Sequence, residues 1–178
     1  MDFDYAYQDI GSDFLADRKN ALLADEPGLG KTKQSIVAAD KVGVTTITVV
    51  CPASMVRSWE REFLKWQSTP RKINVITKGT NSPINDGVNI LSYNLATQNK
   101  LHAKLMENRR ELLILDECDF LKNPSAKRTQ KCLGMGHNIG LAQRHDRVWA
   151  LSGTPVRNHV GELWPLLNAL YQEGISIE

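Results

Sequence analysis

At 178 residues, with 42% hydrophobic and 24% charged side chains, the chain has the length and composition of one globular unit with a sizeable core. A formal net charge of +2 is too near zero to argue for or against a polyanionic partner, so that case rests on where individual Lys and Arg stand. The three cysteines (Cys51, Cys118, Cys132) lack C-x-x-C spacing and the four histidines lack H-x-x-x-H spacing, which argues for reduced thiols and against a disulfide framework or a zinc site.

Residues 1–10 are acidic and aromatic, not a basic start followed by an apolar run, so no signal peptide is expected. No apolar stretch approaches the ~20 residues that cross a bilayer, so no membrane role is expected and the expected location is cytoplasmic. The first apolar run, residues 21–24, stops at a glycine-rich turn, and a helical pattern follows over 32–40. Residues 46–50 are β-branched throughout and halt at Cys51-Pro52. Ser54 is the expected N-cap of a helix carrying Val56, Trp59, Phe63 and Trp66. That helical spacing already explains the three aromatic residues as core. Runs at 73–76 and 88–91 repeat the strand signal, a helix is expected around Leu101 and Leu105, and 112–115 is the next strand. Residues 134–147 hold three glycines and no clean period, and read as a surface loop. Residues 148–151 close the strand series and 162–171 form the last expected helix. Short continuous apolar runs bounded by turns suit strands buried on both faces, and their alternation with helices predicts an α/β fold with a mostly parallel sheet.

Two segments carry chemistry. Asp25-Glu26-Pro27-Gly28-Leu29-Gly30-Lys31-Thr32 follows a strand and opens a helix, the context a phosphate-binding loop requires. Gly28 and Gly30 let the backbone curl so that its N–H groups, with that of Leu29, face a polyphosphate. The helix start adds its free amides and dipole, Lys31 supplies a charge for the β- and γ-phosphates, and the Thr32 hydroxyl can ligate Mg²⁺. Asp25 stands where the usual pattern has glycine, and read alone the octet also fits a turn that caps a helix. The second segment, Leu112 through Asp119, is an apolar strand that delivers carboxylates at its C-terminal end, where open α/β sheets bind ligands. Asp116 is the candidate Mg²⁺ ligand, and Glu117 the candidate that orients and deprotonates an attacking water. A solvated acidic turn explains this segment in isolation, but not its pairing with the loop upstream.

With their flanks, these segments resemble the Swi/Snf-type branch of superfamily-two helicases, block by block and in order. Tyr7-Gln8-Asp9-Ile10-Gly11 with Phe14-Leu15 resembles the Q-motif. Residues 22–32 resemble motif I, whose family form also has aspartate at the position of Asp25, with Pro27 here replacing methionine. Pro52-Ala53-Ser54 with Trp59-Glu60-Arg61-Glu62-Phe63 and Lys65-Trp66 resembles motif Ia. Ser92-Tyr93 resembles the S-Y element. Asp116-Glu117-Cys118-Asp119 with Leu121-Lys122-Asn123 resembles motif II, with Cys118 and Asp119 in place of alanine and histidine. Leu151-Ser152-Gly153-Thr154-Pro155 with Asn158 and Glu162-Leu163-Trp164 resembles motif III and its trailing helix.

The resemblance implies a three-layer RecA-like P-loop NTPase domain that binds ATP and Mg²⁺ and, with a second lobe, couples hydrolysis to movement on duplex DNA. By the same resemblance Gln8 reads adenine. Ser54, Arg57, Ser92 and Tyr93 are candidate nucleic-acid contacts, with Ser152, Gly153 and Thr154 coupling the two sites. A solvated helix residue and a core aromatic remain the plain readings of Arg57 and Tyr93. The basic stretch Lys122, Lys127, Arg128 and Lys131 fits a phosphate contact or a solvated helix face. Residues 1–178 are expected to be one lobe, the first. Its partner lobe would lie elsewhere in the same protein or in another chain, so the isolated chain is expected to bind ATP weakly and hydrolyse it very slowly. The expected location then extends to nucleoid or nucleus. Two alternatives stand beside this reading: a lobe of a strand-separating helicase of the DEAD/DEAH kind, and a non-catalytic ATP-binding interaction module.

Overall fold

The computed structural model describes residues 5–78, 83–156 and 159–171. Each apolar run in those residues becomes a strand: β1 (Asn20–Leu23), β2 (Ile47–Cys51), β3 (Ile73–Val75), β4 (Val88–Ser92), β5 (Arg110–Asp116) and β6 (His145–Leu151). They form one sheet in the order β1-β6-β5-β2-β4-β3, and all five pairings are parallel. Every residue of β2 and β4 is buried, as strands covered on both faces require.

Alternation along the strands sorts their side chains into two cores. On one face Leu23, Val49, Ile114 and Trp149 pack with Leu15, Ile36, Trp59 and Phe63. These come from helices α1 (Ala6–Ala16), α2 (Lys31–Val42) and α3 (Val56–Trp66). On the other face Val50, Leu91, Leu115 and Ala150 pack with Tyr93, Leu105, Cys132 and Leu166. These come from α4 (Tyr93–Ala96), α5 (Asn99–Glu107), α6 (Lys127–Leu133) and α7 (Trp164–Leu170). The result is the expected three-layer α/β architecture.

Three local expectations change. Ser54 is not an N-cap: residues Ala53–Met55 form a 3₁₀ turn, and α3 starts at Val56 with no side-chain cap. The segment 134–147 is not all surface loop. Its second half is a 3₁₀ turn, Leu141–Arg144, followed by the first residues of β6, and Leu141, Ala142 and His145 are buried. His145 is fastened at both ring nitrogens, to the Leu141 carbonyl (2.7 Å) and the Thr48 hydroxyl (2.9 Å). The last helix is a 3₁₀ turn, Val160–Leu163, running into the shorter α7, and Asn158 lies outside the described residues.

Candidate functional site

Because every strand runs the same way, the turns after β1, β2, β4, β5 and β6 leave from one edge of the sheet. The turn after β1 is the glycine loop. Gly28 (φ 86°) and Gly30 (φ 80°) both occupy the left-handed region, which a side chain disfavours, and Gly30 is the residue that starts α2. Space beside Gly28 is open, so a bulky ligand can approach the backbone there. Lys31 Nζ donates to the loop's own carbonyls, Asp25 O at 2.7 Å and Glu26 O at 3.0 Å. The ammonium is thus held over the loop and can exchange carbonyl oxygens for phosphate oxygens without crossing the molecule. Thr32 is half-buried in the first turn of α2.

Asp116 ends β5, in register with Leu151 of β6. Only 6% exposed, its carboxylate accepts from the Trp59 indole N–H at 2.8 Å and from the Glu117 N–H at 3.1 Å. Burial pushes its pKa up, while the Trp59 bond, the Glu117 amide and the Lys31 charge pull it down. Leu23, which leads into the glycine loop, and Asp116 flank the same residue of β6, Leu151, so loop and acid leave the sheet one strand apart. Asp116 is also fixed through its main chain, since the Tyr93 hydroxyl donates to its carbonyl at 2.8 Å.

Glu117 has φ 48° and ψ 54°, the one non-glycine residue in the left-handed region among the described residues. Holding a side chain there costs about 1 kcal/mol or more, and such outliers gather at functional sites. The twist directs the chain from β5 into a 3₁₀ turn, Cys118–Leu121, immediately after a half-buried Glu117.

The turn after β6 closes the group. Ser152 is buried, its N–H donates to the Leu23 carbonyl (3.1 Å), and its hydroxyl accepts from the Thr154 N–H (3.1 Å). Gly153 lies against the Pro27 ring so closely that an added Cβ would fall 2.8 Å from it. The Ser152–Thr154 turn therefore touches the phosphate loop directly. Gln8 is buried against the same loop, with Nε2 3.5 Å from the Leu29 carbonyl and no hydrogen-bond partner at Oε1.

The four candidate nucleic-acid residues divide. Ser54 and Arg57 are exposed at the turn after β2, where Arg57 pairs with Glu60 at 2.8 Å. Ser92 and Tyr93 are buried at 7% and 3% exposure. Ser92 caps α4 by accepting from the Leu95 N–H, and Tyr93 stacks on Phe120. With its hydroxyl spent on Asp116, Tyr93 offers no surface to a phosphate backbone; it is the core aromatic of the plainer reading, and a support of the acid site. The basic stretch is also partly committed. Lys122 pairs with Glu162 at 3.2 Å, and the Arg128 guanidinium lies 5.4 Å from the Phe120 ring centroid.

These residues fit a magnesium polyphosphate. Thr32 and Asp116 would hold the ion, and the ion would neutralise charge on the transferring phosphoryl group. No group of three or more acidic, His or Cys side chains forms a metal cage among the described residues. That is compatible with Mg²⁺, which keeps waters and binds through one or two protein oxygens plus substrate phosphates. Trp59 bonds to the candidate acid although sequence reasoning placed it only in the core; its helical spacing concealed the polar end of the indole.

A parallel sheet with a glycine loop after one strand and an acid pair after a nearby one is the architecture of a RecA-like P-loop domain. Comparison with known proteins narrows the class. The chain belongs to the SNF2-related domain family, whose model matches residues 7–176. It is 32% identical to Helicase SWR1 of Saccharomyces cerevisiae over 95% of the chain. It is 35% identical to a SWI/SNF-related matrix-associated actin-dependent regulator of chromatin subfamily A-like protein 1 of Bos taurus over 92%. The Sulfolobus solfataricus SWI2/SNF2 ATPase core, solved in complex with dsDNA, superposes with a TM-score of 0.75 at 25% identity and covers 93% of the chain. The chain spans 12%, 17% and 35% of those three proteins respectively. No helix among the described residues is long and apolar enough to cross a membrane.

Proposed function

We propose that this chain is the ATP-binding first lobe of a DNA-dependent motor ATPase, which hydrolyses Mg-ATP and moves on duplex DNA when a second RecA-like lobe closes over the nucleotide. The observation that carries the reading is the meeting of four turns at one sheet edge: the glycine loop, the Asp116-Glu117 pair, the Ser152–Thr154 turn and the exposed start of α3. In this reading Gly28, Leu29, Gly30, Lys31 and Thr32 cradle the phosphates and Gln8 reads adenine. Glu117 takes the proton of the attacking water, whose oxygen attacks the γ-phosphorus as the bond to the β-phosphate oxygen breaks. Ser152, Gly153 and Thr154 relay between nucleotide and DNA. Ser54 and Arg57 touch the DNA backbone, a contact that positions the duplex without reading its sequence. The Sulfolobus core bound to dsDNA supports a duplex as the track.

The test uses the full-length protein that carries this domain. Lys31→Ala is expected to abolish nucleotide binding, and Glu117→Gln to preserve binding while stopping hydrolysis. Duplex DNA is expected to stimulate turnover more than single strands or RNA. Stimulation by single strands alone would point to a strand-separating helicase, and unaltered turnover in Glu117→Gln would remove Glu117 from its role.

A further inference from the structure

Three features of the sequence are each unfavourable by themselves. Asp25 places a carboxylate in a loop that must receive a polyanion. Gly11 sits in the middle of α1, where glycine costs about 1 kcal/mol relative to alanine. Gln34 is completely buried in α2, although an amide is costly to bury without partners.

One arrangement links all three: the donor end of the Gln34 amide is engaged, while its buried Oε1 packs against Gly11 with no hydrogen-bond partner. Gln34 Nε2 donates to the Asp25 carboxylate at 3.0 Å and to the Leu29 carbonyl at 3.0 Å. It therefore bridges the first and fifth residues of the glycine loop. A Cβ on Gly11 would collide with the Gln34 side-chain amide, so α1 needs glycine at that position for Gln34 to lie where it does. Asp25 also borders an apolar cavity of about 440 Å³, lined by Tyr7, Phe14 and Leu22 among others, on the α1 side of the loop. The main-chain carbonyl of Asp25, by contrast, receives Lys31.

We infer that Gln34 is a positioning residue for the phosphate loop: its amide holds the Asp25 carboxylate on the α1 side, clear of incoming phosphates, and Gly11 makes the room for it. The inference rests on the nucleotide-binding reading above and adds the device by which this loop tolerates an acid. Gln34 itself touches no substrate.

The test is a double-mutant cycle in the full-length protein that carries this domain, read with a fluorescent N-methylanthraniloyl-ADP and Mg²⁺, and by hydrogen exchange of the amides of residues 25–30 without nucleotide. Gln34→Glu sets two carboxylates face to face. It is expected to weaken binding about tenfold, the scale of one hydrogen bond to a charged group, and to speed exchange in the loop. Adding Asp25→Asn exchanges donor and acceptor and is expected to recover most of that loss. Gln34→Met, similar in length and without the donor, serves if Gln34→Glu does not fold, and is expected to weaken binding and speed exchange in the same direction. Unchanged binding and exchange in the Gln34 variants, or a double variant no better than Gln34→Glu, overturns the inference. If the wild-type full-length protein does not bind the analogue and Lys31→Ala makes no difference, the nucleotide-binding reading fails. Loop exchange then still decides whether Gln34 holds the loop.

Discussion

Replacing Trp59 by phenylalanine tests how the acid site is built. Trp59 is fully buried, and its indole N–H bonds to the Asp116 carboxylate at 2.8 Å. The substitution removes one hydrogen bond to a charged acceptor, about 1.5–3 kcal/mol. It also leaves a void of about 40 Å³, which costs about 1 kcal/mol. The expected loss of stability in urea unfolding is therefore about 3 kcal/mol. Trp149 provides an internal control, since it is equally buried but its indole donates to the neutral carbonyl of Arg18 at 3.1 Å. Trp149→Phe leaves the same void and loses a weaker bond, about 1 kcal/mol, for a total of about 2 kcal/mol. The functional readout separates the two further. Trp59→Phe is expected to raise the Mg²⁺ concentration needed for half-maximal nucleotide binding several-fold, and Trp149→Phe to leave it alone. Equal stability losses together with an unmoved Mg²⁺ requirement would refute the claim that the indole positions Asp116.

Burial pushes the pKa of His145 down from an ordinary 6.5 to about 4, so the folded state keeps it neutral where the unfolded chain binds a proton. Stability should accordingly fall as pH drops from about 6.5 towards 4, by at most ~1.4 kcal/mol per pH unit from this residue; urea unfolding should show that slope, and His145→Gln should flatten it. Glu117→Gly should relieve the left-handed backbone and leave thermal stability equal or slightly higher while ending hydrolysis in the full-length protein, and a clear drop in melting temperature would contradict the strain argument. All three cysteines are buried, and burial pushes the thiols of Cys51 and Cys132 up to about 12 and that of Cys118 upward as well. A thiol reagent at pH 8 should find none in the native chain and all three in urea, and rapid labelling of any one in the native state would contradict their packing.

Sequence reasoning located the sheet because its strands are apolar on both faces, so a run of branched residues between turns is an unmistakable signal. Helix α1 was not legible in the same way. Its buried residues are Gln8, Gly11, Ser12 and Leu15, spaced for a helix but mostly polar or small, so a search for apolar periodicity passes over it. Helix α4 is a single turn of four residues and carries no period at all. The phosphate loop and acid pair were visible because their chemistry demands particular residues at fixed offsets. The bonds that support them, Trp59 and Tyr93 to Asp116 and Gln34 to Asp25, join positions between 9 and 57 residues apart and are set by tertiary packing. No local pattern announces such pairs.

Asp116 is riveted from both sides of the molecule. Trp59 reaches its carboxylate from the layer of α1–α3, and Tyr93 reaches its carbonyl from the layer of α4–α7. A slip of either helical layer across the sheet lengthens or bends a bond at this residue before it disturbs the buried strands. The aim of this one acid therefore depends on how both helical layers sit on the sheet.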